Sequence, residues 1–151
     1  MIDRFERFSF AISEISRCWH RIAGEEMRRF GLKGPYAVYF TTLSRYPQGI
    51  TAAQLVELCG RDKADVSRAL AVLEGKGFIC RDAQAQKAYR APVRLTEQGL
   101  DLARHINQKA RIAVEQASSG LSPEKRAVFY DALGLITENL QTLSKNGLPK
   151  L

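Results

Sequence analysis

The sequence has few of the residues that metal centres and acid–base catalysts most often use. It contains three cysteines and two histidines among 151 residues. The cysteines lie far apart with no C-x-x-C pair, so we expect neither a disulfide framework nor a structural zinc site. No phosphate loop, carboxylate dyad or nucleophile–base pair stands at catalytic spacing. We therefore expect a protein that is not an enzyme and that needs no metal or cofactor.

Long apolar runs are also missing. The longest uninterrupted apolar stretch covers residues 36–40, whereas a membrane span needs about 18 residues. The first ten residues carry charges and no apolar run with a small-residue cleavage site, which predicts no secretory signal. With 45% hydrophobic and 26% charged residues, the composition is that of an ordinary globular domain rather than a disordered chain. We expect a cytoplasmic protein without membrane partners.

The positive charge is concentrated in one segment. The chain carries 23 basic and 16 acidic residues, a net charge of +7. Residues 61–94 hold 8 basic and 4 acidic residues, which is more than half of that excess. A local basic excess is typical of proteins that bind a polyanion. The alternative is a solvated surface that keeps the protein soluble.

Apolar residues at helical spacing mark both ends of the chain. A heptad seam predicts a helix over about residues 3–29, closed by Gly31. Ser122 and Pro123 predict the start of a last helix, which frays after Lys145. Both helices carry more apolar surface than a small domain can cover, which favours a homodimer. The expected interface consists of Phe5, Phe8, Ile12, Ile15, Phe129, Leu133, Ile136, Leu140 and Leu143. The alternative for the seam from Phe5 to Ile22, which includes Trp19, is packing within one chain.

The middle of the chain has the pattern of a helix-turn-helix followed by a hairpin. Pro35 predicts the start of a mostly buried second helix. Thr51 with Gln54 forms a capping box, and Asp62 caps the next helix after a short turn. Residues 78–81 and 89–95 alternate as two strands, the second restricted to an edge by Pro92. The predicted fold is mainly α with a small β wing: a winged helix-turn-helix (35–95) flanked by N-terminal (1–34) and C-terminal (96–151) dimerisation helices.

The second helix of a helix-turn-helix enters the major groove of double-stranded DNA. Arg68 is the long donor on its exposed face and suits guanine, while Asp65 either reads cytosine or caps the helix and keeps Arg68 oriented. The candidate recognition residues are Arg61, Lys63, Ala64, Asp65, Ser67, Arg68 and Ala71; the wing candidates are Lys87, Arg90 and Arg94. The alternatives are an ordinary surface helix with a basic hairpin, or a winged module that binds proteins.

Three motifs in register resemble the MarR family of bacterial transcription regulators. They are residues 50–55, residues 62–79, and the L-T-x-x-G signature Leu95-Thr96-Glu97-Gln98-Gly99. The resemblance implies an obligate homodimer that binds a pseudo-palindromic operator, usually as a repressor, and is released by a small ligand or by oxidation. Members often carry Asp-x-Arg in the wing. Here the corresponding residues run from Lys87 to Arg90, which leaves those two as candidates for the minor groove.

The resemblance also implies two kinds of switch. A small aromatic or anionic effector would bind a crevice whose candidate lining residues are Trp19, His20, Phe30, Tyr36, Tyr39 and Phe40; the alternative is that these residues are ordinary core. A redox-sensing regulator would instead use Cys18, activated by Arg17 or Arg21. The alternative for Cys18 is an inert packed thiol. Cys59 and Cys80 are expected to be structural.

Overall fold

The computed structural model describes residues 3–81 and 90–150, which are mainly helical. The chain divides between Lys109 and Ala110 into two compact units. In chain order the elements are α1 (Arg4–Arg28), a 3-10 turn (Gly34–Tyr36), α2 (Ala37–Leu43), α3 (Ala52–Cys59), α4 (Lys63–Gly75), β1 (Ile79–Arg81), β2 (Val93–Leu95), α5 (Glu97–Ala117) and α6 (Pro123–Asn146). The described part of the chain therefore has the predicted mainly helical architecture with a two-stranded wing.

The start of the second helix differs from the sequence prediction. Pro35 lies in a 3-10 turn, and the α-helix begins only at Ala37. The backbone is crowded here, because a Cβ on Gly34 would lie 2.9 Å from the Cα of Gly24 in α1. Two glycines thus let the turn approach α1 closely. The short helix α2 buries Tyr39, Phe40 and Leu43, whereas Tyr36 and Val38 are only half-buried.

Both predicted caps of the helix-turn-helix are present. The Gln54 amide donates to Thr51 Oγ1 at 3.2 Å, and the Thr51 amide donates to Gln54 Oε1 at 2.9 Å. Gly60 ends α3 with φ +61°, a left-handed conformation that glycine adopts without steric cost. Asp62 then caps α4 by accepting a 2.7 Å bond from the Asp65 amide. The turn between the two helices is therefore fixed by its own sequence.

The wing strands pair antiparallel, with Ile79 opposite Leu95 and Arg81 opposite Val93. On its other side, Val93 exchanges two backbone bonds with Ile50, of 2.7 and 3.0 Å. The prediction of an edge strand was therefore wrong at Val93, because Ile50 covers that side of the strand. Pro92, which has no amide hydrogen to donate, immediately precedes this paired residue. Of the predicted second strand, Tyr89 lies outside the described residues.

The core of the first unit is formed by the predicted apolar stripes. Leu55 and Leu102 take the buried positions on α3 and α5, whereas Leu58 and Leu100 are exposed. The buried apolar residues are Met27, Leu32, Tyr39, Phe40, Leu43, Ile50, Leu55, Val66, Ala69, Leu70, Leu73, Phe78, Ile79, Val93, Leu95, Leu102, Ala103 and Ile106. Cys59 packs against this cluster while only partly buried, as its predicted structural role requires. The core holds α4 and the wing on one scaffold.

Hydrogen bonds from the backbone and side chain of Thr96 hold the junction between the wing and α5. The Thr96 amide donates to the Phe78 carbonyl at 3.0 Å, and Thr96 Oγ1 donates to the Gly77 carbonyl at 2.6 Å. Thr96 also caps α5 by accepting from the Gly99 amide at 3.1 Å. The L-T-x-x-G signature thus joins the end of the wing to the start of α5.

Candidate nucleic-acid interface

Helix α4 has one buried face and one face open to solvent. Val66, Leu70 and Leu73 are buried in the core. Ser67 and Arg68 are exposed, and so are Lys63, Ala64 and Ala71. This division follows the predicted helical period. The exposed face combines a long cation with small side chains, which allows close approach to a flat or grooved partner.

The start of α4 carries two carboxylates with different tasks. Asp62 accepts the helix-capping bond from the Asp65 amide, and this backbone bond lowers the pKa of the Asp62 carboxyl below its ordinary value. Asp65 instead turns its carboxylate to Arg68, whose Nη2 donates to Asp65 Oδ1. Both partners of this ion pair are well exposed, with 46% of the Asp65 and 69% of the Arg68 side chain accessible. Of the two predicted roles for Asp65, the structure supports the one that orients Arg68.

Two further predicted cations flank the helix start. Lys63 is exposed at the first helical position, whereas Arg61 is partly buried in the turn. Burial raises the pKa of the Tyr39 hydroxyl, and the charge of Arg61 partly opposes that rise.

A groove of about 440 Å³ lies beside the exposed face of α4. It is lined by Ala52, Ala53, Val56, Lys63, Val66, Ser67, Leu70 and Arg81. Sequence reasoning missed Ala52, Ala53 and Arg81 as members of this surface. The capping box at Thr51 could have identified Ala52 and Ala53, because it starts α3 at these residues and the first turn of α3 lies beside α4. Arg81, which lies opposite Val93 in the wing, pairs with Glu74 at 2.9 Å.

Of the predicted wing cations, the structure describes two. Arg90 and Arg94 are exposed. Arg94 Nε donates to the sulfur of Cys80, its cross-strand neighbour, at 3.3 Å. Cys80 is partly buried at this contact, as expected for a structural residue. Lys87 lies outside the described residues, so its place in the interface stays a prediction.

The six residues predicted to line an effector crevice do not share one environment. Tyr39 and Phe40 are core residues with 2% and 0% of their surfaces exposed, and Phe40 packs edge-on against Phe78. The prediction that these two line a crevice was wrong, because the ring bulk of α2 fills the core. None of the six residues lines the groove beside α4.

The other four crevice candidates lie at or near the surface. Trp19 and His20 are exposed on α1, where His20 Nδ1 lies 3.2 Å from Ser16 Oγ. Phe30 contacts the ring of His105 edge-on at 5.1 Å, and Tyr36 is half-buried. These four remain candidates for effector contact.

Cys18 is exposed on α1, but the cations expected to activate it have acidic partners. Arg17 donates two bonds to Glu14, of 3.0 and 2.8 Å, and these bonds raise the pKa of the arginine above its ordinary value. Arg21 lies 3.5 Å from Glu25. Both arginines are therefore engaged in ion pairs along the helix surface. A redox role for Cys18 stays a prediction.

The predicted interface residues are largely exposed. Phe5 and Ile15 have 72% and 66% of their surfaces accessible, and Met27 is the one residue of the 25-residue helix α1 that is buried. The seam from Phe5 to Ile22 thus stays accessible along α1, which disfavours the alternative of packing within one chain. Helix α6 has 24 residues and buries none. The exposed members of both helices are Phe5, Phe8, Ile12, Ile15, Phe129, Leu133, Ile136 and Leu140, while Leu143 is partly buried.

Within residues 3–81 and 90–150, no helix is both long and apolar enough to cross a bilayer. In the same ranges, no cluster of three or more histidine, cysteine or acidic side chains is arranged to hold a metal ion. The main surface features of the described residues are the exposed face of α4, the basic wing and the exposed apolar residues of α1 and α6.

No protein-family profile matches the sequence. The chain is 23% identical over 96 residues to the uncharacterized HTH-type transcriptional regulator YfiV of Bacillus subtilis (strain 168), a match that covers 64% of this chain. The chain spans 60% of the length of that curated relative.

Solved structures match over most of the chain. The transcriptional regulator SlyA shares 25% identity at a TM-score of 0.78, over 88% of this chain and 93% of that one. A transcriptional regulator from Listeria monocytogenes, assigned to the MarR family and crystallised with 26mer DNA, shares 23% identity at a TM-score of 0.79. That match covers 100% of this chain and 99% of the other.

Proposed function

We propose that this chain, which has the winged helix-turn-helix fold of the MarR-family transcriptional regulators, is a homodimeric DNA-binding regulator of transcription. The observation that carries the proposal is the exposed face of α4, where Ser67 and Arg68 are open to solvent while the opposite face is locked into the core. A rigidly held helix that presents a guanidinium is suited to read base edges in the major groove. The Listeria monocytogenes structure of the same fold was solved with DNA, which supports this assignment.

The wing supplies the second contact with DNA. Arg90 and Arg94 are exposed, and Arg94 lies on β2, which pairs with β1. Arginine is favoured in the narrow minor groove, where the potential is most negative. Lys87 is the remaining wing candidate from the sequence. Phosphate contacts from Arg61 and Lys63 fix the orientation of the helix start and carry no base preference themselves.

Two copies of the chain form the functional unit. A 24-residue helix without a buried residue, and an α1 with apolar side chains along its exposed length, leave large apolar surface in water. A second copy that covers both helices removes this surface from water. A two-fold axis lets each copy cover the other in the same way. Residues 1–34 and 96–151 then serve dimerisation, and residues 35–95 bind DNA. The two α4 helices read half-sites about 34–36 Å apart.

Regulation requires a ligand that distinguishes the two states of the dimer. A small aromatic or anionic effector that binds the DNA-free arrangement better shifts the population away from the operator. Trp19, His20, Phe30 and Tyr36 are the residues we assign to effector contact, since they are partly or fully accessible. The regulator then acts as a repressor that the effector releases. A panel of phenolic and anionic compounds added to the DNA complex tests this part of the proposal.

The central experiment compares Arg68→Ala with Arg104→Ala. Both arginines are exposed, and both pair with an aspartate three residues earlier, Asp65 and Asp101 respectively. Each variant removes one positive charge, but only the first lies on α4. Arg68→Ala is expected to lose about 1–3 kcal/mol of binding free energy on the duplex that the wild type selects from a random pool. It is also expected to relax the base preference at one position of that duplex.

Arg104→Ala is expected to keep the wild-type base preference and to change affinity only through the net charge. Equal losses for the two variants, or no loss for Arg68→Ala, would refute the assignment of α4 as the recognition helix.

A further inference from the structure

Asp65 places a negative charge on the face of α4 that is proposed to enter DNA. Its carboxylate is not needed as the helix cap, because Asp62 accepts the bond from the Asp65 amide. Nor is it needed for packing, since nearly half of the side chain is exposed. The partner that the structure shows for it is Arg68 Nη2. An exposed carboxylate in this place costs affinity for a polyanion and therefore calls for a functional explanation.

The ion pair restrains the side chain that is proposed to read guanine. A free arginine side chain samples many rotamers, and part of that rotamer entropy is lost when it binds a base. Asp65 holds the Arg68 guanidinium one helical turn away and engages one of its five N–H donors. The remaining donors stay available for the O6 and N7 acceptors of a guanine. The ordering of Arg68 thus precedes DNA binding.

The same pair removes the attraction of Arg68 for phosphates. Paired with Asp65, the guanidinium contributes almost no net charge to the exposed face, so non-specific attraction is left to Arg61, Lys63 and the wing. On a sequence without the correct base, the Asp65 carboxylate is repelled by base acceptors and phosphates, and no bond from Arg68 to a guanine offsets this repulsion. On the correct sequence, Arg68 bridges the carboxylate and the guanine edge. Asp65 therefore penalises incorrect sequences more than the correct one.

We propose that Asp65 is a specificity-determining positioning residue, which orients Arg68 toward guanine and weakens binding to DNA without that guanine. This inference rests on the proposed function of α4. Asp65 would then contribute to the discrimination between DNA sequences and not to the overall affinity for DNA, which its negative charge opposes.

The experiment uses the full-length chain with Asp65→Asn, Asp65→Glu and, as the matched control, Asp101→Asn. Asp101 pairs with an equally exposed arginine, Arg104, through the same three-residue spacing on α5, so the control makes the same change in net charge away from α4. The probes are the duplex that the wild type selects from a random pool, the same duplex with 7-deazaguanine at each guanine in turn, and a scrambled duplex. Affinities are measured by fluorescence anisotropy at one fixed salt concentration, and thermal unfolding checks each fold.

Asp65→Asn is expected to bind the scrambled duplex more tightly and to lose roughly tenfold in its preference for the selected duplex. It is also expected to lose sensitivity to the 7-deazaguanine position that weakens the wild type. Asp65→Glu, which keeps a carboxylate within reach of Arg68, restores part of both properties. Asp101→Asn keeps the wild-type preference.

An unchanged preference in Asp65→Asn overturns the inference and leaves the proposed function intact, because the wild type still selects its duplex. An equal loss in Asp101→Asn also overturns it, since net charge alone then explains the effect. Should Asp65→Asn unfold, Asp65→Ser is read by the same criteria. Failure of the wild type to select any duplex refutes the proposed function and this inference together.

Discussion

A methyl group at position 99 has no room in this fold. A Cβ built on Gly99 would lie 2.0 Å from the carbonyl oxygen of Phe78 and 3.1 Å from Leu95 Cδ2. The oxygen belongs to the backbone that leads into β1 and cannot rotate away. Gly99→Ala therefore forces the start of α5 away from the wing by more than 1 Å, because a carbon–oxygen contact is ordinarily about 3.3–3.6 Å long.

The cost follows from the contacts that this shift breaks. The bonds from Thr96 to the Phe78 and Gly77 carbonyls, of 3.0 and 2.6 Å, are each worth about 1 kcal/mol. Residual crowding adds about 1–3 kcal/mol. The better helix propensity of alanine returns about 1 kcal/mol. The net loss of unfolding free energy is about 2–4 kcal/mol, which lowers the melting temperature by about 4–16 °C.

Chemical denaturation followed by circular dichroism measures this loss, at one protein concentration because the stability of the proposed dimer would depend on concentration. Gly75→Ala is the matched control, since a Cβ on Gly75 at the end of α4 meets nothing within 4 Å. The control is expected to keep or slightly raise the stability. If Gly99→Ala unfolded at the same denaturant concentration as the control, the steric account of the L-T-x-x-G signature would be refuted.

Three other perturbations test separate parts of the account. Glu26 accepts a 2.5 Å bond from His105, and this bond lowers the pKa of the Glu26 carboxyl below its ordinary value of 4.5. The ionised carboxylate therefore stabilises the fold fully above pH 4.5, and this stabilisation is lost as the pH falls through the pKa of the folded state. The difference in unfolding free energy between wild type and Glu26→Gln should shrink below pH 4.5, and a difference that stayed constant in denaturation experiments would contradict this. Arg90→Ala should weaken binding to all duplexes and reduce the salt slope of log K by about one, as measured by titrations at several salt concentrations. Ile136→Glu on the exposed face of α6 should shift the chain to monomer in light scattering, and an unchanged dimer would exclude that residue from the interface.

Local sequence signals predicted the helices and their caps because those signals act within one or two turns. The Thr51–Gln54 capping box and the Asp62 cap both depend on bonds between residues three positions apart. The exposed face of α4 followed from the apolar period alone, because the core determines which side is buried. Most of the candidate interface on α4 could therefore be predicted from local sequence patterns.

What the sequence could not predict depends on contacts between distant segments. The bridge from Ile50 to Val93 joins residues 43 positions apart, and no local pattern identifies such a partner. Tyr39 and Phe40 carry the same aromatic chemistry as a ligand pocket, and only the packing of α2 assigns them to the core. The close approach of Gly99 to Phe78 is likewise a tertiary contact, although the motif that contains Gly99 was visible in the sequence.

The central claim is that two copies of this chain bind one duplex through their α4 helices. Native mass spectrometry of the full-length protein with the duplex it selects, repeated with Arg68→Ala, tests this most directly. The account predicts two chains per selected duplex for the wild type, with the complex lost as salt rises and strongly reduced in Arg68→Ala. A single chain per duplex, or equal occupancy of wild type and variant at every salt concentration, would contradict it.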